Sequence, residues 1–485
     1  MNANLPRITM AMLVGLLVCR APVFGSDHLP DLFIDPLRTA PGVLAKGVIL
    51  PGDTAPIPWS VQKDFSRPLA LGEAVDLALC NNPQVKSAWA NIKIQAGAVG
   101  EARAAYLPTL GGTLSRTNDQ IRYPGSNFPD TNKDATTLQG GLNWRLFDFG
   151  GRAANHQAAE NLLTAALATH NDTLQRALSA VTQAYFDAMT AQAALQATTE
   201  SEEIAQSTLS STKVREEKGV SSQTDTLRAT TALAKAALEH NRAHGNYRKS
   251  LAVLGHVLGA PGNTMILLPE DITADAVELS KDLNRWLEET KQTHPAITAA
   301  KAQVEAAQNR VVAARSAGLP TLNFSATYYQ NTRPGEPVTP AETKEITVGV
   351  ALNIPIFDGF SSTYKIRGAQ AQVEKSEADL TDTQDRIALE LIKAYVDATF
   401  SLQNLDASAN LLEAAREALT VSRRRYDKGA ADITEILSTQ STLCDAQQER
   451  IKCLAEWHSA RLRLLASAGQ MGRSSATEEK AVPKL

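Results

Sequence analysis

The feature that most restricts this chain is that its sequence repeats itself. Asn82-Pro83 returns as His294-Pro295. Ala102-Arg103, followed by Leu107-Pro108-Thr109-Leu110, returns as Ala314-Arg315, followed by Leu319-Pro320-Thr321-Leu322. Phe147-Asp148 returns as Phe357-Asp358, Tyr185-Phe186-Asp187-Ala188 as Tyr395-Val396-Asp397-Ala398, and Lys218-Gly219 as Lys428-Gly429. The spacing is 212 residues for the early anchors and 210 for the later ones. Anchors in one order at one spacing mean one structural unit used twice.

Each half reads as helix, two strands, a very long helix, a Gly-bearing turn and a return helix. The first helix is expected from about Leu69 to Arg103 and again from Asp282 to Ala317. The long helices run Gly151 to Lys218 and Gly359 to Lys428, the return helices Ser222 to Leu258 and Asp432 to Ala468. The long helices carry a seam stepping by four and three: Leu174, Leu178, Val181, Tyr185, Ala188, Gln192, Leu195, and again Ile387, Leu391, Ala394, Ala398, Ser401, Leu405. At 1.5 Å per residue each is a rod of about 100 Å, far longer than a globular core needs. The two shorter helices of each half, laid end to end, match one rod.

The strands follow from period two. Ile346, Val348, Val350, Leu352 and Ile354 alternate with small or polar residues, as do Leu138, Leu142, Trp144 and Leu146, and Leu322, Phe324, Ala326 and Tyr328. Thr109 to Thr117 is the poorest match. Strands of about 9–12 residues suit a tilted membrane crossing. The residues expected to face lipid are Leu138, Leu142, Trp144, Leu322, Phe324, Ile346, Val348, Val350 and Leu352. Trp144, Tyr328 and Tyr329 are candidates for an aromatic girdle. Asn118 to Asp134 and Asn331 to Lys344 read as polar loops outside the membrane. Four strands cannot close a barrel, and open edges cannot stay in lipid. Several copies must therefore pool strands, eight from two chains or twelve from three.

No later stretch approaches about 18 continuous apolar residues, which excludes helical spans but not a barrel. With 48 basic and 52 acidic residues, the net charge of −4 lacks the basic field that nucleic acid requires. Arg7, the apolar run Ile8 to Val18, and Val23-Phe24-Gly25 read as a cleaved export signal over residues 1–25. Val18 argues against the rival, a lipid attached at Cys19. Cys80, Cys444 and Cys453 remain, too scattered for a disulfide framework. Residues 26–68 carry seven prolines and form an extension that either wraps the helices or hangs loose. The first repeat spans 69–259, a linker 260–281, the second repeat 282–469 and a tail 470–485.

Taken in order, these motifs resemble the TolC family of outer-membrane channels over about residues 69–469. Among its members the chain is most similar to the CyaE-type group of type I secretion. The resemblance implies a mainly α fold with a β-barrel part: a homotrimer with one twelve-stranded barrel and a long α-helical tunnel in the periplasm of a Gram-negative bacterium. It implies passive export, in partnership with a periplasmic adaptor protein and an inner-membrane ABC exporter, or a proton-driven pump where the cargo is a small molecule. The tips Gly219, Val220, Ser221 and Gly429, Ala430, Ala431 are then expected to meet the adaptor and close the entrance. Asp225, Tyr426 and Glu435 match the family's gate by residue type. Ala431 stands where the family can place an arginine, and Ser438 where it can place a second acid. One of Arg423, Arg424 and Arg425 is expected to substitute, against the plainer reading of a solvated helix face.

Other chemistry is thin. His240 and His244 have metal-ligand spacing but no third ligand, and read as exposed polar residues. There is no P-loop, dinucleotide fingerprint or nucleophile setting, so neither an enzyme nor a cofactor or metal is expected. The competing functions are the outer component of a drug efflux pump and, in a different class, a non-channel coiled-coil scaffold of the envelope.

Overall fold

The computed structural model describes residues 35–57, 65, 67–125, 131–260, 264, 266–269, 282–332 and 342–473. The expected export signal, most of the expected linker and the tail beyond 473 lie outside them. In chain order the main elements are α1 (Leu71–Asn81), α2 (Pro83–Ala104), β1 (Thr109–Ile121), β2 (Thr131–Phe147), α3 (Gly151–Glu217), α4 (Gln223–Val257), α5 (Leu283–Thr293), α6 (Pro295–Ser316), β3 (Thr321–Thr332), β4 (Glu342–Asn353), α7 (Ser361–Asp427) and α8 (Ile433–Ser467). The duplication is metrically strict. The four helices of each half have 11, 22, 67 and 35 residues both times.

The expected single helices Leu69–Arg103 and Asp282–Ala317 are each two. The break falls at the repeated X-Pro motif. Proline offers no N–H and pushes the preceding residue out of the helical region. Asn82 (ψ 122°) and His294 (ψ 128°) are accordingly extended. Each then caps the next helix: Asn82 Oδ1 accepts from Gln84 N at 2.8 Å, and His294 Nδ1 from Ala296 N at 3.1 Å.

These breaks are where the return helices arrive. α4 ends on Gly259 (φ 64°), where an added Cβ would stand 2.9 Å from Asn81 Cβ. α8 ends on Gly469 (φ 70°), where one would stand 2.7 Å from Pro295 Cδ. Glycine is required by both the backbone and the close approach. The shorter helices therefore stack end to end beside each rod. The seam faces inward as its spacing predicts: Leu174, Leu178, Val181, Tyr185 and Ala188 are buried in α3, and Ile387, Leu391, Ala398 and Leu405 in α7.

Residues 35–57 are packed on the helices. Leu50 joins the core and the Leu37 carbonyl accepts from Arg103 Nη1 at 3.2 Å. The chain's other end lies across this strap. Gln175 exchanges two hydrogen bonds with the Met471 backbone, and Arg473 donates from its N to Asp53 and from Nη2 to Asp76 at 2.7 Å.

The four strands form one antiparallel sheet in the order β1-β2-β3-β4. The strands outrun the expectation, with 13 residues in β1 and 17 in β2, so Asn118–Ile121 and Thr131–Asp134 are ladder rather than loop. Residues 126–130 and 333–341 lie outside the described residues. A register shift between Arg145 and Phe147 bends the end of β2. Each second strand passes into a rod through two left-handed residues, Phe149-Gly150 and Gly359-Phe360. The repeated aspartate fixes the turn: Asp148 accepts from Arg152 N at 3.0 Å and Asp358 from Ser362 N at 2.8 Å.

Candidate functional site: an unpaired sheet and two hairpin tips

The register places all nine residues expected to face lipid on one face of the sheet. Leu142 pairs Ala326, Trp144 pairs Phe324, Leu322 pairs Leu352, Phe324 pairs Val350 and Ala326 pairs Val348. Leu110 and Leu114, which sequence reasoning passed over in the weakest strand, lie opposite Leu142 and Leu138 and extend this face. No helix among the described residues covers it: Ile346 is 75% exposed and Val350 60%. The apolar band ends where Arg116 pairs Asp134 at 2.8 Å. The opposite face carries Thr113, Ser115, Gln139, Asn143, Ser325, Thr327 and Thr347. Tyr328 shares the apolar face and Tyr329 takes the other, since neighbours in a strand point to opposite sides. At the base of the sheet, Phe147 and Phe149 meet edge to face at 4.8 Å, and Phe357 and Phe360 at 5.4 Å. All four rings are exposed.

At the far ends of the rods, the chain reverses in two matching turns. Gly219 (φ 70°) and Gly429 (φ 73°) let Val220 N reach Arg215 O and Ala430 N reach Arg425 O, both at 2.8 Å. The two acids in equivalent places then do different things. Asp225 closes a capping box on α4. Its Oδ2 accepts from Ser222 N (3.1 Å), Ser222 Oγ (2.8 Å) and Ser221 Oγ (3.1 Å), while Ser222 Oγ accepts from Asp225 N. The Ser222 N–H, then the serine hydroxyls and Arg228, hold this carboxyl below the usual carboxylate range. Glu435 instead crosses to α7, where it accepts from Ser422 Oγ and Arg425 Nη1, each at 3.0 Å. Of the three arginines singled out, Arg425 makes this pair, while Arg423 and Arg424 are exposed.

Two further arginines, not singled out in the sequence, join one tip to the other. Arg215 on α3 lies over the Tyr426 ring at 4.4 Å and donates to the Tyr426 carbonyl at 3.2 Å. Arg228 on α4 donates to Thr434 Oγ1 at 3.1 Å and stands 3.8 Å from Asp432 and 3.9 Å from Asp225. Tyr426 is only 8% exposed, and its hydroxyl has no hydrogen-bond partner among the described residues. Above the tips, a groove of about 810 Å³ runs between the hairpins, lined by α3, α4 and α8. His240 Nδ1 lies 2.7 Å from Glu202 on the facing rod. No disulfide joins Cys80, Cys444 or Cys453 among the described residues.

The family model described as outer membrane efflux protein matches residues 74–260 and 286–470, one match per repeat. Protein CyaE of Bordetella pertussis is 35% identical over 428 residues, covering 87% of this chain and 90% of that protein. The alkaline protease secretion protein AprF of Pseudomonas aeruginosa is 23% identical over 412 residues, covering 83% and 84%. Among solved structures, the outer membrane protein VceC of Vibrio cholerae matches with a TM-score of 0.70 at 20% identity, over 82% of this chain and 96% of that one.

Proposed function

The chain belongs to the outer membrane efflux protein family, and from that premise we propose that it is the outer-membrane duct of an export system, built from three copies closed into one tube. The observation that carries this reading is a set of missing neighbours. The two rods have equal length, yet α3 buries 24 residues and α7 only ten. α3 lies against α2 and α4 of its own repeat and α6 and α8 of the other. α7 lies against α6 and α8 of its own repeat but, among the described residues, does not pack on α2 and α4 of the other. α4, for its part, buries three residues of 35. The sheet tells the same story, since among the described residues β1 and β4 each pair on one side only. Setting the open α7–β4 edge of one copy against the α4–β1 edge of the next supplies every missing partner. Such a head-to-tail contact makes a ring when the rotation closes. Three copies give twelve strands, with the apolar band outward and the polar face lining the pore. The exposed phenylalanines then stand at the lower lipid boundary.

The cargo is proposed to be protein, delivered by a periplasmic adaptor and an inner-membrane ABC exporter. The likeness to a protein named for protease secretion supports this. The family's own description favours the second reading, small-molecule efflux with a proton-driven pump. A deletion strain separates them: loss of a large protein from the culture medium with unchanged drug susceptibility supports secretion, and the reverse outcome supports efflux. A protein absent from the outer-membrane fraction would leave only a scaffold.

We assign the entrance to the two tips. Gly219, Val220, Ser221, Gly429, Ala430 and Ala431 form the end that an adaptor meets. Arg425 neutralises Glu435, and Arg215 and Arg228 tie the hairpins, which makes an arginine at position 431 dispensable. Replacing Asp225 or Glu435 with alanine is expected to alter conductance or cation preference in planar bilayers; unchanged currents would remove them from the gate.

A further inference from the structure

The two repeats differ in the residue that caps the helix at the joint where lower and upper helices stack. In the first repeat the cap residue is Asn82, which does not titrate. In the second it is His294, 3% exposed, with the α8 terminus packed on it and on Pro295. Its Nδ1 is a hydrogen-bond acceptor, a role open only to neutral imidazole. Proton uptake would turn that nitrogen into a donor facing the Ala296 N–H.

The joint also borders a charged cavity of about 320 Å³. α3 contributes Asp172 and Arg176, paired at 2.7 Å. α7 contributes Arg386 and Glu390, paired at 3.3 Å, together with Lys393 and Asp397. α8 contributes Arg463, 3.7 Å from Asp397. Each carboxylate is thus already paired with an arginine, so that an imidazolium would meet the pull of Glu390 offset by Arg386 and Arg176.

We propose that the α8–α6 joint is an acid-sensitive hinge with the neutral His294 side chain as its latch. Acid would free the upper end of α8, and with it the second hairpin, while the first joint stays capped by Asn82. Burial pushes His294 from the ordinary histidine value of 6.5 down to about 4, with Glu390 opposing and Arg386 and Arg176 adding to the shift. The sign follows from linkage. The closed joint holds neutral histidine and the open joint binds the proton more readily. The latch is therefore fully effective above pH 6.5 and weakens as pH falls toward 4. With those two values, the open fraction rises about twentyfold between pH 7 and pH 5.

The test is amide hydrogen exchange on the full-length protein in detergent at pH 7 and pH 5, corrected for intrinsic rates. Protection at residues 296–298 should fall by about that factor, and protection at residues 84–86 should not. His294→Asn installs the cap used in the first repeat and should abolish the difference. His294→Asp, which keeps an acceptor throughout this range, serves if the asparagine variant folds poorly. An acid-induced loss that persists in either folded variant overturns the hinge, as does equal behaviour of the two joints in the natural protein.

Discussion

Tyr426 shows how a residue can be legible in position and illegible in role. Its place just before the Gly turn singles it out, but beside Ile433 and Ile436 of its own hairpin it takes Arg215 from the other repeat, 211 residues away. Its ring is held under Arg215 while its hydroxyl bonds nothing described. Tyr426→Phe should therefore leave thermal stability within about 0.5 kcal/mol, whereas Tyr426→Ala, which removes a buried ring, should cost about 3 kcal/mol. A phenylalanine variant as damaged as the alanine one would mean that the hydroxyl is bonded in the assembled ring. Arg228 carries the complementary prediction. Half-exposed ion pairs are worth about 1 kcal/mol or less, so Arg228→Gln should not move the melting temperature measurably. Three such ties in a closed ring sum to as much as about 3 kcal/mol, so the same variant should raise single-channel conductance or open probability. Asp225 is legible as an acid near a tip, and its spacing from Ser222 is a capping-box signature that sequence reasoning passed over.

At the scale of elements, the duplication and the period-two strands carried most of the fold in plain sight. What they hid was the helix break at Asn82-Pro83 and His294-Pro295. The motif stands out as an alignment anchor, and the physics of proline makes it a boundary as well. The stacking glycines were invisible for a different reason, because their necessity lies in what arrives from 178 and 174 residues away. Two glycines with equal φ make this testable. At Gly219 an added Cβ meets nothing within 4 Å, so Gly219→Ala should cost only the left-handed penalty of about 1 kcal/mol. At Gly469 it meets a rigid proline ring at 2.7 Å, so Gly469→Ala should cost about 3 kcal/mol by denaturant or thermal unfolding. Equal costs would mean that the joint gives way freely. In the sheet, Val350→Arg on the apolar face should abolish outer-membrane insertion, at about 2–4 kcal/mol per copy near midplane. Thr347→Arg, three residues away on the polar face, should insert normally; equal yields of both in the outer-membrane fraction would dismiss the assigned faces.

The whole molecule explains residues that look wrong in a single copy. Leu389, Phe400 and Leu411 are exposed on α7, and Leu227, Leu238 and Val253 on α4, along rods that gain nothing by showing them to water. The intervening charge is complementary as well: the exposed stretch of α7 from Glu374 to Glu417 is rich in acids, while α4 carries Arg228, Lys235, Arg242, Arg248 and Lys249. Opposite fields on the two edges favour head-to-tail over like-to-like encounters. If the edges meet, Phe400, 58% exposed in one copy, is a core residue of the assembly. Phe400→Glu and Leu238→Glu would be harmless surface changes in a monomer. In the ring each removes about 1.5–3 kcal/mol of burial at three contacts at once and adds a charge that must be desolvated. Both variants should therefore lose the trimer mass in native mass spectrometry of the detergent-extracted protein, while helix content by circular dichroism stays near normal. A trimer that survives both substitutions would mean that these edges do not meet, and would leave unexplained why α7 buries ten residues where α3 buries 24.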